Sequence, residues 1–201
     1  MKISFVVAAF GNFSVLRTCL SSLLNQTMQD FEIIVCDNDP ESDQEYMAAE
    51  IARMDPSIRY EWTADRTKVI PPGCRHRRCL YTATEIGVAL TSGEWLCFPS
   101  ADTYLAPVFA ERMLRAAEVT NCSLVTCDFI SGCPDRKYLT IEAAPRVFRI
   151  DKSAFILKGE MFAGFPDKVE HYEEADGLLI ERLARAGASR KRVAEVLVCH
   201  N

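Results

Sequence analysis

The chain has 201 residues, 49% of them hydrophobic, 25% charged and 9% aromatic, with a formal net charge of −5. This composition excludes a disordered, collagenous or low-complexity protein, and at this length one domain over residues 1–201 is expected. The acidic balance argues against nucleic acid as the main partner, and no apolar run approaches the ~18 residues that span a membrane.

Strand-like and helix-like runs alternate from the start. Ile3 to Ala9 is an apolar, β-rich run suited to a parallel strand covered on both faces. The segment Met1 to Phe10 is too briefly apolar to serve as a signal peptide, and the helix after it needs this strand to pack on. Asn12 or Ser14 can cap that helix, whose Val15, Leu16, Cys19, Leu20, Leu23 and Leu24 form one stripe. Phe31 to Cys36 reads as a second strand ending in Asp37-Asn38-Asp39-Pro40, followed by a helix over 42–54 and a strand over 58–62. This β-α-β-α-β half predicts an open, mainly parallel sheet. Residues 63–76 read as loop, broken most clearly at Pro71-Pro72-Gly73. Beyond it the pattern predicts a helix over 80–90, a strand over 94–98, and a helix that begins at Pro107 and runs to 119. A strand over 123–129, a turn at 131–135 and a late antiparallel strand over 146–150 follow. A helix over 173–186 stops at Gly187, and 192–199 is a closing strand.

The nine cysteines include no Cys-x-x-Cys pair, and Cys19, Cys36 and Cys97 lie in apolar runs as small buried hydrophobes would. Reduced thiols in a cytoplasmic protein are the expectation, so the sequons at Asn12, Asn25 and Asn121 carry no weight.

In an open α/β sheet ligands bind beyond the carboxyl ends of the strands. Three such ends carry chemistry here: Ala8-Ala9-Phe10-Gly11, Asp37-Asn38-Asp39 and Ser100-Ala101-Asp102. No Gly-x-Gly pair exists for a dinucleotide site or a P-loop, and no Gly-x-Ser-x-Gly elbow for a hydrolase. Asp176 shares a helical face with Leu179, Leu183 and Ala186, so an acid heads a stripe that packs inward. Such an acid either has a chemical task or, with Glu173 and Glu174, complements the helix dipole.

Three segments resemble the opening of family 2 glycosyltransferases with the GT-A fold: Ile3 to Phe10, Cys19 to Thr27, and Phe31 to Asn38. The likeness continues through Gly87-Val88-Ala89-Leu90-Thr91-Ser92-Gly93-Glu94-Trp95 to Asp102, and again in Ala163 to Asp167 and Asp176 to Gly187. It implies a GT-A-like single domain, a mostly parallel central sheet flanked by helices, which moves a sugar from a nucleotide-diphosphate donor, most often UDP-linked, to an acceptor hydroxyl. Inversion and a divalent metal, Mn²⁺ or Mg²⁺, come with that resemblance, and the acceptor would be a glycan or a lipid-linked sugar.

Carried over by position, Ala8 and Phe10 would line the base pocket, and Asp37 and Asn38 would meet base and ribose. Asn38 departs from the family's second acid. Ser100-Ala101-Asp102 looks like a reduced Asp-x-Asp, with Ala101 beside the donor and Asp102 on the metal; a turn residue is the plain alternative for Asp102. Asp176 matches the general base, with Ala175 where the family often has Glu. Arg75-His76-Arg77-Arg78 either grips the donor diphosphate, with Arg78 as the candidate, or is a solvated helix start. His200 matches a metal-binding histidine of some GT-A enzymes or is a frayed terminal residue, while His76 and His171 read as surface residues. Thr84-Glu85 stands where the family carries Arg-Asn. These departures leave a non-catalytic GT-A module as the alternative. A nucleotidyltransferase ranks last, because Gly11-Asn12-Phe13-Ser14 lacks the basic, glycine-rich grip on a triphosphate.

Overall fold

A computed structural model of the chain describes residues 1–65, 75–133, 136–147, 149–166 and 175–200, with the backbone alone for 75–79, 133, 136 and 137. The first half alternates as the pattern predicts: β1 (Ile3–Ala9), α1 (Phe13–Leu24), β2 (Phe31–Asp37), α2 (Gln44–Met54), β3 (Arg59–Trp62), α3 (Arg75–Val88) and β4 (Trp95–Cys97). Then come β5 (Thr103–Leu105), α4 (Phe109–Thr120), β6 (Leu124–Cys133), β7 (Arg136–Ile141), β8 (Phe155–Lys158), α5 (Ala175–Arg185) and β9 (Arg190–His200). Asn12 caps α1 by accepting the Val15 N–H at 3.2 Å, and Asp43 does the same for α2 at Tyr46.

The strands form one sheet in the order β3-β2-β1-β4-β8-β6-β9-β5, with β7 on β6. The block β3-β2-β1-β4 is parallel throughout. All seven residues of β1 are buried, which is why that segment reads as an unbroken apolar run. The predicted late antiparallel strand lies at Phe155–Lys158, paired with β4 and β6. Where the sequence predicted it, the Arg149 N–H bonds the Arg146 carbonyl and the Arg146 N–H the Ala144 carbonyl instead. Strands β5 and β7 escape the pattern because they are short or carry exposed Tyr104, Tyr138 and Leu139.

The Ser-Gly-Glu-Trp segment serves the fold. Glu32 on β2 accepts the Ser4 hydroxyl at 2.5 Å, the Ser92 N–H at 2.6 Å and the Gly93 N–H at 2.9 Å, with Lys2 Nζ at 3.4 Å. Burial works to raise its pKa, but these hydrogen bonds and the lysine charge prevail and hold it down at about 2. A Cβ on Gly93 would stand 2.5 Å from Ser4 Oγ and 2.9 Å from Ser4 N, so only glycine lets the chain enter β4 this close to β1.

Candidate active site

The chain builds outward from β1 through β2 to β3, then returns to place β4 on the other side of β1. This reversal opens a crevice at the carboxyl end of β1, where open α/β sheets bind ligands. The Ala8 N–H donates to the Pro99 carbonyl at 3.2 Å, and the Ala8 carbonyl accepts the Ala101 N–H at 3.1 Å. The loop carrying Ala101 and Asp102 is thereby laced to the end of β1. On the other flank the Asn38 N–H bonds the Ala9 carbonyl at 3.0 Å. Ala8, Ala101, Asp102, Asp37 and Asn38 are thus gathered around the carboxyl end of β1, and Phe10, which follows it, is 39% exposed.

Asp37 is fully committed within the protein. Its Oδ1 accepts the Gly11 and Asp39 N–H groups at 3.0 and 3.2 Å, and its Oδ2 accepts the Ser42 and Tyr60 hydroxyls at 2.5 and 3.0 Å. Two donors on each oxygen make it the anchor of the Gly11 and Asp39 turns. The burial of Tyr60 and its position beside the Asp37 charge push the phenol pKa upward, so the hydroxyl stays a donor. Asn38 is also buried, with its Oδ1 3.5 Å from the Thr63 hydroxyl.

On the β4 side the antiparallel register pairs Thr103 with His200, which sets a residue near the end of the chain beside Asp102. His200 Nε2 lies 3.4 Å from Asp102 Oδ1, and Nδ1 lies 2.7 Å from Asp151 Oδ2. Burial works against the charged ring, but the Asp151 charge and the ring's hydrogen bonds to both carboxylates raise its pKa to about 10. Asp151 is held well below the usual carboxylate range: burial opposes this, and the His200 charge and hydrogen bond prevail, aided by Ser153. Its Oδ1 caps the short turn Lys152–Ala154 by accepting the Ser153 N–H at 2.8 Å. The turn is fastened to β5 and β4 by the Ser153 hydroxyl on Thr103 Oγ1 at 3.1 Å and by the Ser153 carbonyl facing Cys97 Sγ.

Asp176 opens α5 and is buried, as the apolar stripe requires, with Leu179 and Leu183 below it; Ala186 at the far end is exposed. Its Oδ1 accepts the Tyr81 hydroxyl at 2.6 Å and its Oδ2 the Lys152 N–H at 2.9 Å. Burial and the Asp151 charge raise its pKa to about 6, opposed by the Tyr81 hydroxyl and by Lys152. A Cβ on the next residue, Gly177, would fall 2.3 Å from Val147 Cα, so glycine admits this turn of α5 against the 146–147 backbone. Lys152 Nζ is buried and has no hydrogen-bond partner among the described residues.

The structure therefore joins Asp102 to His200 directly and ties both to Asp176 through the 151–153 turn. Arg78 lies in the first turn of α3, but its side chain is outside the described residues, as are those of Arg75, His76 and Arg77; His171, Glu173 and Glu174 lie outside them entirely. Asp151 and Tyr81 were invisible as site residues in the sequence. Asp151-Lys152-Ser153 carries only a turn-capping signal, and Tyr81 sits within an ordinary helix. The Thr84-Glu85 departure has a structural use: Glu85 accepts the Phe165 N–H at 2.7 Å, and Thr84 is buried on the Leu80 carbonyl.

A parallel half-sheet continued past its switch point by antiparallel strands defines a GT-A-type fold. The family model of glycosyl transferase family 2 matches residues 4–171, and the chain belongs to that family. EpsH of Bacillus subtilis (strain 168), which bears a glycosyltransferase name, is 31% identical over 133 residues, 66% of this chain and 35% of its own. EpsJ of the same organism, an uncharacterized glycosyltransferase, is 27% identical over 136 residues, 67% of this chain and 36% of its own. The chain thus spans about a third of the length of these relatives. Among solved structures, S. aureus TarS 1–349 with UDP superposes with a TM-score of 0.73 at 16% identity, covering 99% of this chain and 60% of that one. The mannosyltransferase PcManGT of Pyrobaculum calidifontis, with GDP-Man and Mn²⁺, gives 0.71 at 14% identity, covering 98% and 56%. These two likenesses show the fold. Among the described residues no helix is long and apolar enough to cross a membrane.

Proposed function

We propose that this domain transfers a sugar, with inversion, from a nucleotide-diphosphate donor to the hydroxyl of a glycan or lipid-linked acceptor. A UDP-sugar is the first choice of donor and a GDP-sugar the second, since both nucleotides occupy structures of this fold. Phe10 offers a ring face for the base, and the Asn38 amide brings both a donor and an acceptor to its edge. Asp37, with every lone pair engaged, acts by holding the Gly11 and Asp39 turns in shape.

The residues present fit a divalent cation. Among the described residues no group of three or more His, Cys, Asp or Glu side chains forms a metal site. Mg²⁺ and Mn²⁺ need no such group, since one or two protein ligands suffice when water and phosphates complete the shell. Asp102 and the His200 imidazole would hold it, and it would supply charge to neutralise the departing diphosphate.

The reading rests above all on Asp176. A buried carboxylate whose pKa stands near 6, fixed by donors on both oxygens, is poised to take a proton near neutral pH. It would accept the acceptor's hydroxyl proton as that oxygen attacks the anomeric carbon, and a single displacement inverts that centre. Among the described residues Cys19, Cys36, Cys97, Cys122, Cys127 and Cys199 are free thiols.

Thermal unfolding with UDP, GDP, CDP and dTDP, each with and without Mn²⁺, tests the donor site. The expected result is a raised midpoint with one nucleotide that requires both the metal and Asp102, and that disappears in Asp102→Ala. No shift with any nucleotide would contradict the proposal.

A further inference from the structure

We propose that Asp151 is a positioning residue of this site, fixing the His200 ring so that Nε2 faces Asp102 and the pair is shaped for a divalent cation. The inference rests on the reading of Asp102 and His200 as the cation pair, and it adds the residue that makes His200 fit for the task.

The two oxygens of Asp151 have separate duties. Oδ1 caps its own turn through the Ser153 N–H at 2.8 Å, while Oδ2 meets His200 Nδ1 at 2.7 Å. A histidine that gives Nε2 to a cation must carry its proton on Nδ1, and a carboxylate on Nδ1 fixes that tautomer and the ring plane. Asp151 is itself hard to displace. Its turn is pinned by Ser153 to Thr103, the strand partner of His200, and by the Lys152 N–H to Asp176. One three-residue turn thus sets the ring that faces Asp102 and, on its other side, holds the carboxylate of Asp176. Without Asp151 the His200 ring would keep one ion-pair partner among the described residues, the Asp102 carboxylate 3.4 Å from Nε2.

Asp151→Asn separates the positioning duty from the capping one. Asparagine caps turns well, so its amide oxygen keeps the Ser153 N–H. Its NH₂ then faces His200 Nδ1, which must accept, and the ring proton moves to Nε2, where it blocks a cation. Mn²⁺ affinity is measured by electron paramagnetic resonance, with and without UDP, in wild type, Asp151→Asn, His200→Ala and the double variant. We expect Asp151→Asn to weaken Mn²⁺ binding roughly 10- to 100-fold, and to add nothing once His200 is alanine. Mn²⁺ binding within twofold of wild type, or an Asp151→Asn effect that persists without His200, overturns the positioning role and leaves the cation pair standing. Wild-type protein that takes up no Mn²⁺ in either condition overturns the cation pair and the positioning role together. A second readout needs no variant of Asp151: long-range ¹H–¹⁵N correlation of the wild-type ring with saturating Mg²⁺ and UDP, assigned by its loss in His200→Gln. A ring with its proton on Nδ1 and none on Nε2 supports the proposal, and a proton on Nε2 or none on Nδ1 refutes it even if Asp151→Asn fails to fold.

Discussion

Replacing Asp176 by asparagine should stabilise the protein, and the gain should depend on pH in a defined way. The folded state holds the Asp176 proton more tightly than the unfolded chain does, with a pKa raised from 3.8 to about 6 by burial and the Asp151 charge. Ionisation of this acid therefore opposes folding: the penalty is absent below the unfolded value, grows as pH rises through this interval, and is constant above it. The interval corresponds to about 3 kcal/mol at pH 8 and roughly half that at pH 5. Asparagine imitates the protonated acid. Its carbonyl can keep the Lys152 N–H, and its NH₂ can donate to the Tyr81 oxygen, so neither partner is orphaned. For a chain of this length the gain at pH 8 translates to about 5–10 °C in the unfolding midpoint. Differential scanning calorimetry of wild type and Asp176→Asn at pH 5 and 8 reads both numbers. A midpoint at pH 8 equal to or below that of wild type, or a difference that fails to shrink at pH 5, would refute the account of this carboxylate.

Tyr81→Phe removes the donor at 2.6 Å from Asp176 and should raise that carboxyl's pKa by about one unit or more, read from its ¹³C resonance against pH; an unmoved titration counts against the hydrogen bond. Glu32→Gln should cost about 1 kcal/mol at pH 7, the pKa shift being discounted for partial exposure. Because the folded pKa is lowered, that contribution is present above about 4.5 and is lost as pH falls toward 2, so urea midpoints of wild type and variant should converge in acid. Phe10→Ala should weaken nucleotide binding by about 1–3 kcal/mol with little effect on the unfolding midpoint, and unchanged affinity in isothermal titration would remove Phe10 from the base pocket.

Much of the fold was legible because each early element matches its period. The unbroken apolar run of β1, the Asn12 cap and the stripe of α1 agree with one another, and the structure reproduces them. The second half was harder to read. The late antiparallel strand was placed at 146–150 rather than at Phe155–Lys158, because Arg146 to Ile150 carries the same β-rich pattern without a partner to pair with. Of the site, Asp102 and Asp176 could be singled out as an acid at a strand end and an acid on a buried face. Asp102 and His200 were linked only through the resemblance, as residues for one metal; their contact arises from the register of β5 on β9 between segments far apart in the chain, which no local pattern carries. Asp151 and Tyr81 meet His200 and Asp176 through their side chains, and such contacts leave no local pattern. The Ser-Gly-Glu-Trp segment, part of the family resemblance, is where Glu32 clamps the entry to β4, a contact that serves folding.

The central claim is that Asp176 takes the acceptor's proton beside a bound nucleotide-sugar. Release of nucleoside diphosphate from UDP-GlcNAc and GDP-Man, with water and a panel of glycan acceptors offered, measures it in wild type and Asp176→Asn at matched nucleotide affinity. The account predicts a loss of roughly 10²- to 10⁴-fold in kcat for Asp176→Asn with the nucleotide Kd unchanged. Full turnover in that variant, or wild-type protein that binds nucleotide and consumes neither donor, would contradict it.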